Sequence, residues 1–190
     1  FLLSDSSWEG YSTPARDVME GYLIMAGEVA DGIDAPPSHI FLQAGVGGLA
    51  AACTTAARAI WGDAPVITIV EPDRAPALME SIRAGRPVHA GGPDSNMGRL
   101  DCKEPSHLAL ACLARDADFF MTITDEEAGA AVATLAGHGM ETTPSGVAGI
   151  AGLLHLGSEA RDRLGIDAGS SVLADVSDGP GEGGACRPAR

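Results

Sequence analysis

Residues 39 to 71 restrict the fold more than any other stretch of the chain. His39-Ile40-Phe41-Leu42-Gln43 is a short, nearly continuous apolar run, the pattern of a strand buried on both faces. Gly45-Val46-Gly47-Gly48 follows at once, Leu49 to Trp61 is alanine-rich and helix-prone, and Val66-Ile67-Thr68-Ile69-Val70-Glu71 is a β-branched run. Strand, glycine turn, helix and strand in that order describe a parallel pair joined by a helical crossover. The remainder continues the alternation. Val18, Met19, Tyr22, Leu23, Met25, Ala26 and Val29 recur at helical spacing behind Pro14, which suits a first turn, so a helix is expected over about 14–31. Further helices are expected near 74–84, 106–115, 125–137 and 147–156, and strands at 119–123 and 171–176, with a short strand at 87–89. Thr124 and Glu127 have capping-box spacing. The expected class is α/β, a mostly parallel sheet with helices on both faces.

No internal repeat or linker divides the chain, and 190 residues suit one domain or part of a larger one. Residues 178–190, with glycines at 179, 181, 183 and 184, are expected to form a flexible tail. A hydrophobic share of 45% against 20% charged argues against disorder, and no apolar run approaches the twenty residues of a membrane span. A net charge of -14 would repel a phosphate backbone, so no nucleic-acid partner is expected. The four cysteines lack C-x-x-C spacing and the five histidines lack ligand spacing, which fits a cytoplasmic protein with free thiols and no metal. The opening Phe1-Leu2-Leu3 has no basic flank or initiator methionine; a cut inside a longer polypeptide is expected rather than a secretory signal.

Gln43-Ala44-Gly45-Val46-Gly47-Gly48-Leu49 stands where a strand ends and a helix begins. Glycines there let the backbone approach a ligand, and free N–H groups with the helix dipole make an anion site. The loop lacks the lysine of a Walker motif and the G-x-G-x-x-G spacing, so a cofactor monophosphate fits better than a nucleoside triphosphate. A tight turn with no ligand is the alternative. Asp5 and Trp8 lie in a polar, aromatic segment and read either as acid–base group and pocket wall or as turn residues. Asp125, Glu126 and Glu127 read as a favourable acidic first turn. Ser177 lies past the carboxyl end of the last strand, the edge where open α/β sheets bind ligands, and Ser145 precedes a helix; capping is the alternative for both. Residues 90–105 form a loop long enough to suggest a functional role.

Taken in order, Trp8-Glu9-Gly10-Tyr11, the loop Gln43 to Leu49, Val70-Glu71-Pro72-Asp73, Gly98 to Ser106, Thr124-Asp125-Glu126, Pro144-Ser145-Gly146 and Val176-Ser177-Asp178-Gly179 resemble the diaminopropionate ammonia-lyases. These are pyridoxal-phosphate enzymes of the fold type II, or tryptophan-synthase-β, group. The resemblance implies the larger part of such a domain, its carboxy-terminal part, incomplete at the amino-terminal side. It implies that Gly45, Val46, Gly47, Gly48 and Leu49 hold the phosphate of pyridoxal 5′-phosphate and that Ser177 is a neutral partner of the pyridine nitrogen. Asp5 would assist proton removal or bind the substrate amine, and Ser145 would lie near the ring or substrate. The implied reaction of the complete enzyme is elimination of ammonia from 2,3-diaminopropionate, giving pyruvate and ammonia. The alternatives are a threonine- or serine-dehydratase-type lyase and a non-catalytic anion-binding α/β remnant.

The likeness also implies a small amino-acid substrate and a homodimer when intact. A half-domain would need its missing amino-terminal half or self-association to cover its exposed sheet edges. Relatives commonly carry glycine where this chain has Arg99 and Lys103, and their Schiff-base lysine lies in the amino-terminal part. Lys103 is the chain's one lysine. The 190 residues alone are therefore expected to show no turnover with Lys103 a bystander; a chain-linked cofactor absorbance band that disappears in Lys103→Ala would overturn that expectation.

Overall fold

The computed structural model describes residues 3–179. In chain order the elements are α1 (Thr13–Asp31), β1 (His39–Gln43), α2 (Gly48–Trp61), β2 (Val66–Pro72), α3 (Ala77–Ala84), α4 (His107–Asp116), β3 (Phe119–Ile123), α5 (Asp125–Gly137), α6 (Ala148–Leu154), α7 (Ser158–Leu164) and β4 (Val172–Ala174). The four strands form one sheet, ordered β3-β2-β1-β4, and every pairing is parallel. All five residues of β1 are buried, as the apolar run requires of a strand with neighbours on both sides and helices on both faces.

Alternation along β1 divides the core. Ile40 and Leu42 pack with Met19, Ala51, Leu78 and Leu113 beneath α1, α2, α3 and α4, while Phe41 packs with Val70, Ile123, Ala128 and Ala151 beneath α5 and α6. α6 approaches the sheet closely because it carries glycine: a Cβ on Gly149 would lie 2.9 Å from the Phe41 carbonyl oxygen, and one on Gly152 2.9 Å from a Val70 methyl. The capping box at Thr124 is formed, with Glu127 N–H donating to Thr124 Oγ1 at 3.1 Å and Thr124 N–H to Glu127 Oε2 at 2.8 Å.

Several boundaries differ from expectation. α3 begins at Ala77, because Pro76 cannot supply the N–H of an earlier turn. Residues 87–89 make no strand; Val88 N–H is taken by Ser81 Oγ at 3.0 Å. β4 is limited to Val172–Ala174, and α7, absent from the sequence expectation, fills the connection before it. Asp178 belongs to the ordered fold, tied to Arg99, Thr142 and Thr143, while residues 180–190 of the expected tail lie outside the described residues. No helix among the described residues is long and apolar enough to cross a membrane.

Glu71, fully buried at the end of β2, accepts N–H bonds from Leu78 at 2.7 Å and Met79 at 2.8 Å, capping α3 from a neighbouring element. Glu71→Ala strands both donors. It is expected to cost about 3 kcal/mol, read as a lower urea midpoint at unchanged slope.

Candidate functional site

The carboxyl ends of β1 and β4 open into one cavity of about 520 Å³. The loop Gly45 to Leu49 forms its floor, α1 contributes Val18, Tyr22 and Met25, and Arg99, Leu100 and Cys102 close one side. Asp5, Ser145, Ser177 and Asp178 complete the wall. The structure thus gathers residues that are up to 172 positions apart in sequence, Asp5 and Ser177, around the glycine turn.

The turn is shaped for close approach. A Cβ on Gly45 would stand 3.0 Å from Cys102 Sγ and 3.1 Å from both the Arg99 carbonyl oxygen and Leu100 Cα, so the two loops pack backbone to backbone. Gly47 has φ +98°, a left-handed conformation that turns the chain into α2. The Ala44 N–H completes the ladder to Val70 O at 2.9 Å, and the Ala51 N–H begins the helix on Gly47 O at 2.8 Å. Between them, the amides of Gly45 to Ala50 reach no acceptor of the chain among the described residues. Buried donors at a helix start without partners call for an anionic acceptor. The residues present therefore fit a phosphate group.

The loop expected at residues 90–105 is stapled to the strand ends. Lys103 Nζ donates to Arg74 O at 2.8 Å, Pro93 O at 3.0 Å and Asp101 Oδ1 at 2.5 Å. Its three donors are thereby used inside the loop. Ser95 Oγ and Asn96 N–H donate to Asp125, which also pairs with Arg74 at 2.9 Å; the acidic first turn of α5 therefore anchors the loop as well as favouring the helix dipole. Arg99 N–H donates to Ser145 Oγ at 3.1 Å, and the Arg99 guanidinium pairs with Asp178 across the cavity mouth. Asp178 also accepts from Thr143 Oγ1 at 2.9 Å, and its carbonyl from Thr142 Oγ1 at 2.8 Å.

Ser177 Oγ accepts from Gln43 Nε2 at 2.9 Å. Asp5 lies exposed at the rim, held there through Ser7, whose hydroxyl accepts the Leu108 N–H at 2.8 Å at the start of α4. Trp8 does not wall the cavity: it stacks on Tyr11 with ring centroids 4.3 Å apart and is 42% exposed. Burial pushes Tyr22 up from its ordinary value, and the Asp5 charge adds to that. Sequence reasoning missed Gln43, Asp175 and Asp178 as working parts of the site. The signal for Gln43 was a polar residue closing a fully buried strand.

A family model described as pyridoxal-phosphate dependent enzyme matches residues 8–178. Diaminopropionate ammonia-lyase of Escherichia coli (strain K12) is 30% identical over 161 residues, covering 82% of this chain and 40% of that protein. The crystal structure of the E. coli diaminopropionate ammonia lyase in complex with an aminoacrylate-PLP azomethine reaction intermediate has a TM-score of 0.84 at 25% identity, over 93% of this chain and 49% of that one. The processed form of threonine deaminase isoform 2 from Solanum lycopersicum shares the fold, with a TM-score of 0.76 at 20% identity over 87% of this chain and 46% of that one. The chain spans less than half the length of each.

Asp175, behind Ser177, is pushed up to about 6, chiefly by burial, with the Asp178 charge adding to it. A carboxyl raised in the folded state costs nothing while both states are protonated. Its penalty grows as pH rises from its ordinary 3.8 through about 6 and is complete above that. Asp175→Asn should therefore match the parent chain in stability near the lower limit and exceed it by about 3 kcal/mol above the upper one, measured by urea unfolding across that window.

Proposed function

The chain belongs to the pyridoxal-phosphate dependent enzyme family, and we propose that it forms the cofactor-phosphate side of a lyase that eliminates ammonia from 2,3-diaminopropionate, giving pyruvate and ammonia. The observation that carries this reading is the run of partnerless amides from Gly45 to Ala50 opening on the same cavity as the Ser177 hydroxyl.

In this reading Gly45, Val46, Gly47, Gly48 and Leu49 hold the cofactor phosphate through main-chain N–H groups, with the α2 dipole adding to the attraction. Ser177 meets the pyridine nitrogen with a neutral hydroxyl. When bound, pyridoxal phosphate supplies the electron sink that acidifies the substrate Cα–H and lets the Cβ substituent leave. Asp5, at the rim beside Tyr22, binds the substrate amine or takes a proton there. Ser145 braces the backbone of Arg99 at the cavity wall and contacts the ring or substrate from that side. Lys103 takes no part as the cofactor's lysine, since its ammonium is committed to three oxygens of the loop and does not line the cavity. A covalent lysine then comes from elsewhere in the intact protein. Elimination of ammonia rather than water is supported by the diaminopropionate ammonia-lyase relatives and by the Trp8-Glu9-Gly10-Tyr11 segment.

Two measurements test this. The intact protein should release pyruvate fastest from 2,3-diaminopropionate; faster keto-acid release from serine or threonine would assign it to the hydroxy-amino-acid dehydratases instead. Gly47→Ala places a Cβ at φ +98° and 3.1 Å from a Leu78 methyl. It should weaken pyridoxal-phosphate uptake at least about tenfold, as expected when strain of about 1–2 kcal/mol distorts the amide cradle; equal uptake by the variant would remove the phosphate role from this turn.

A further inference from the structure

Gln43 closes β1 with 1% of its surface exposed, and its amide sits between two side chains of the segment that follows β4. Nε2 donates to Ser177 Oγ at 2.9 Å. The same amide lies beside the Asp175 carboxylate and favours its charged form, although neither carboxylate oxygen finds a partner at hydrogen-bond geometry. That contact is therefore an electrostatic approach rather than a formed bond. Gln43 Oε1 has no partner either and faces Gly149, where an added Cβ would stand 2.8 Å from it.

Such an arrangement leaves one buried acceptor unpaired, so something must outweigh the loss. Turning the amide over would direct Nε2 toward Gly149, where the Phe41 carbonyl oxygen lies, and bring Oε1 against Ser177 and Asp175. The Asp175 charge opposes that second orientation, because it would set a carbonyl oxygen beside a carboxylate. Charge beside the amide thus selects which end faces Ser177.

The choice decides where the Ser177 proton goes. A hydroxyl has one proton and two lone pairs. With Gln43 donating to one lone pair, the proton is left to point into the cavity. With the amide reversed, Ser177 would give its proton to Gln43 and present only lone pairs. The backbone on the other side of Ser177 is fixed independently, by Asp178 tied to Arg99, Thr142 and Thr143.

We propose that Gln43, held nitrogen-first by the Asp175 carboxylate, is a positioning residue that makes Ser177 a hydrogen-bond donor toward the ring nitrogen of a bound pyridine and so keeps that nitrogen unprotonated. The inference rests on the pyridoxal-phosphate reading of the cavity and adds the pair that sets the hydroxyl. A donor aimed at the nitrogen lone pair competes with a proton for it, so removing the bias raises the proton affinity of the ring.

The test uses the 190-residue chain with pyridoxine 5′-phosphate labelled with ¹⁵N in the ring, which has no aldehyde to react with Lys103. The bound ring-nitrogen signal is followed by NMR above the pH at which Asp175 ionises. The parent chain should show an unprotonated, hydrogen-bonded nitrogen. Gln43→Met and Asp175→Asn should each raise its proton affinity about fivefold, the equivalent of one net hydrogen bond, moving the signal toward the protonated position. Asp175→Asn removes a buried charge and keeps the shape, so it carries the test alone if Gln43→Met does not fold. A merely structural role for Gln43 would weaken binding without moving this signal. Saturable binding with a protonated nitrogen in the parent chain, or an unchanged signal in the folded variants, overturns the inference and leaves the phosphate site standing. Absence of saturable binding by the parent chain overturns the cofactor reading and this inference with it.

Discussion

The backbone contact between Gly45 and residues Arg99–Leu100 is the constraint on which the cavity depends. Because Gly45 has no Cβ, the loop after β3's neighbouring strand end can lie directly on the turn after β1, leaving the turn's amides facing inward with no protein acceptor. Any side chain there would push the loop outward by a few tenths of an ångström at least. The loop carries its own restraint, the three bonds of Lys103 and the links from Ser95 and Asn96 to Asp125. Two rigid pieces of backbone thus meet at one glycine.

Charge is arranged around that contact in an unexpected way. A chain with 26 acidic and 12 basic residues has to present a phosphate site without a surplus of cations. It does so with dipoles: partnerless amides and the start of a 14-residue helix do not depend on net charge and are not neutralised by the surrounding carboxylates. Arg99, the one cationic side chain lining the cavity among the described residues, is paired with Asp178. It therefore contributes less to the field in the cavity than an unpaired guanidinium would, and more to holding the segment after β4 in place.

Much of this was legible in the sequence because it follows from local chemistry. The apolar run of β1, the β-branched run of β2, the glycine turn and the Thr124–Glu127 capping box all depend on neighbours within a few residues. The failures are equally physical. α7 is a short helix of seven residues whose sequence, SEARDRL, buries only Leu164, so its apolar periodicity is too brief to read. Trp8 resembled a pocket wall by residue type, yet hydrogen bonds pairing its backbone with Tyr11 turn the ring onto Tyr11 instead. Asp178 looked like the first residue of a loose glycine-rich tail; three partners from two distant loops fix it.

By itself, then, the sequence determined the parallel α/β alternation, the place of the anion-binding turn and the presence of a hydroxyl past the last strand, since each is written in consecutive residues. Only the tertiary structure decided which groups meet at that turn. Gln43, Asp175 and Ser177 come together because β1 and β4, separated by more than a hundred residues, are adjacent and parallel, and the direction of a single amide between them is set by a buried charge that no local pattern reveals.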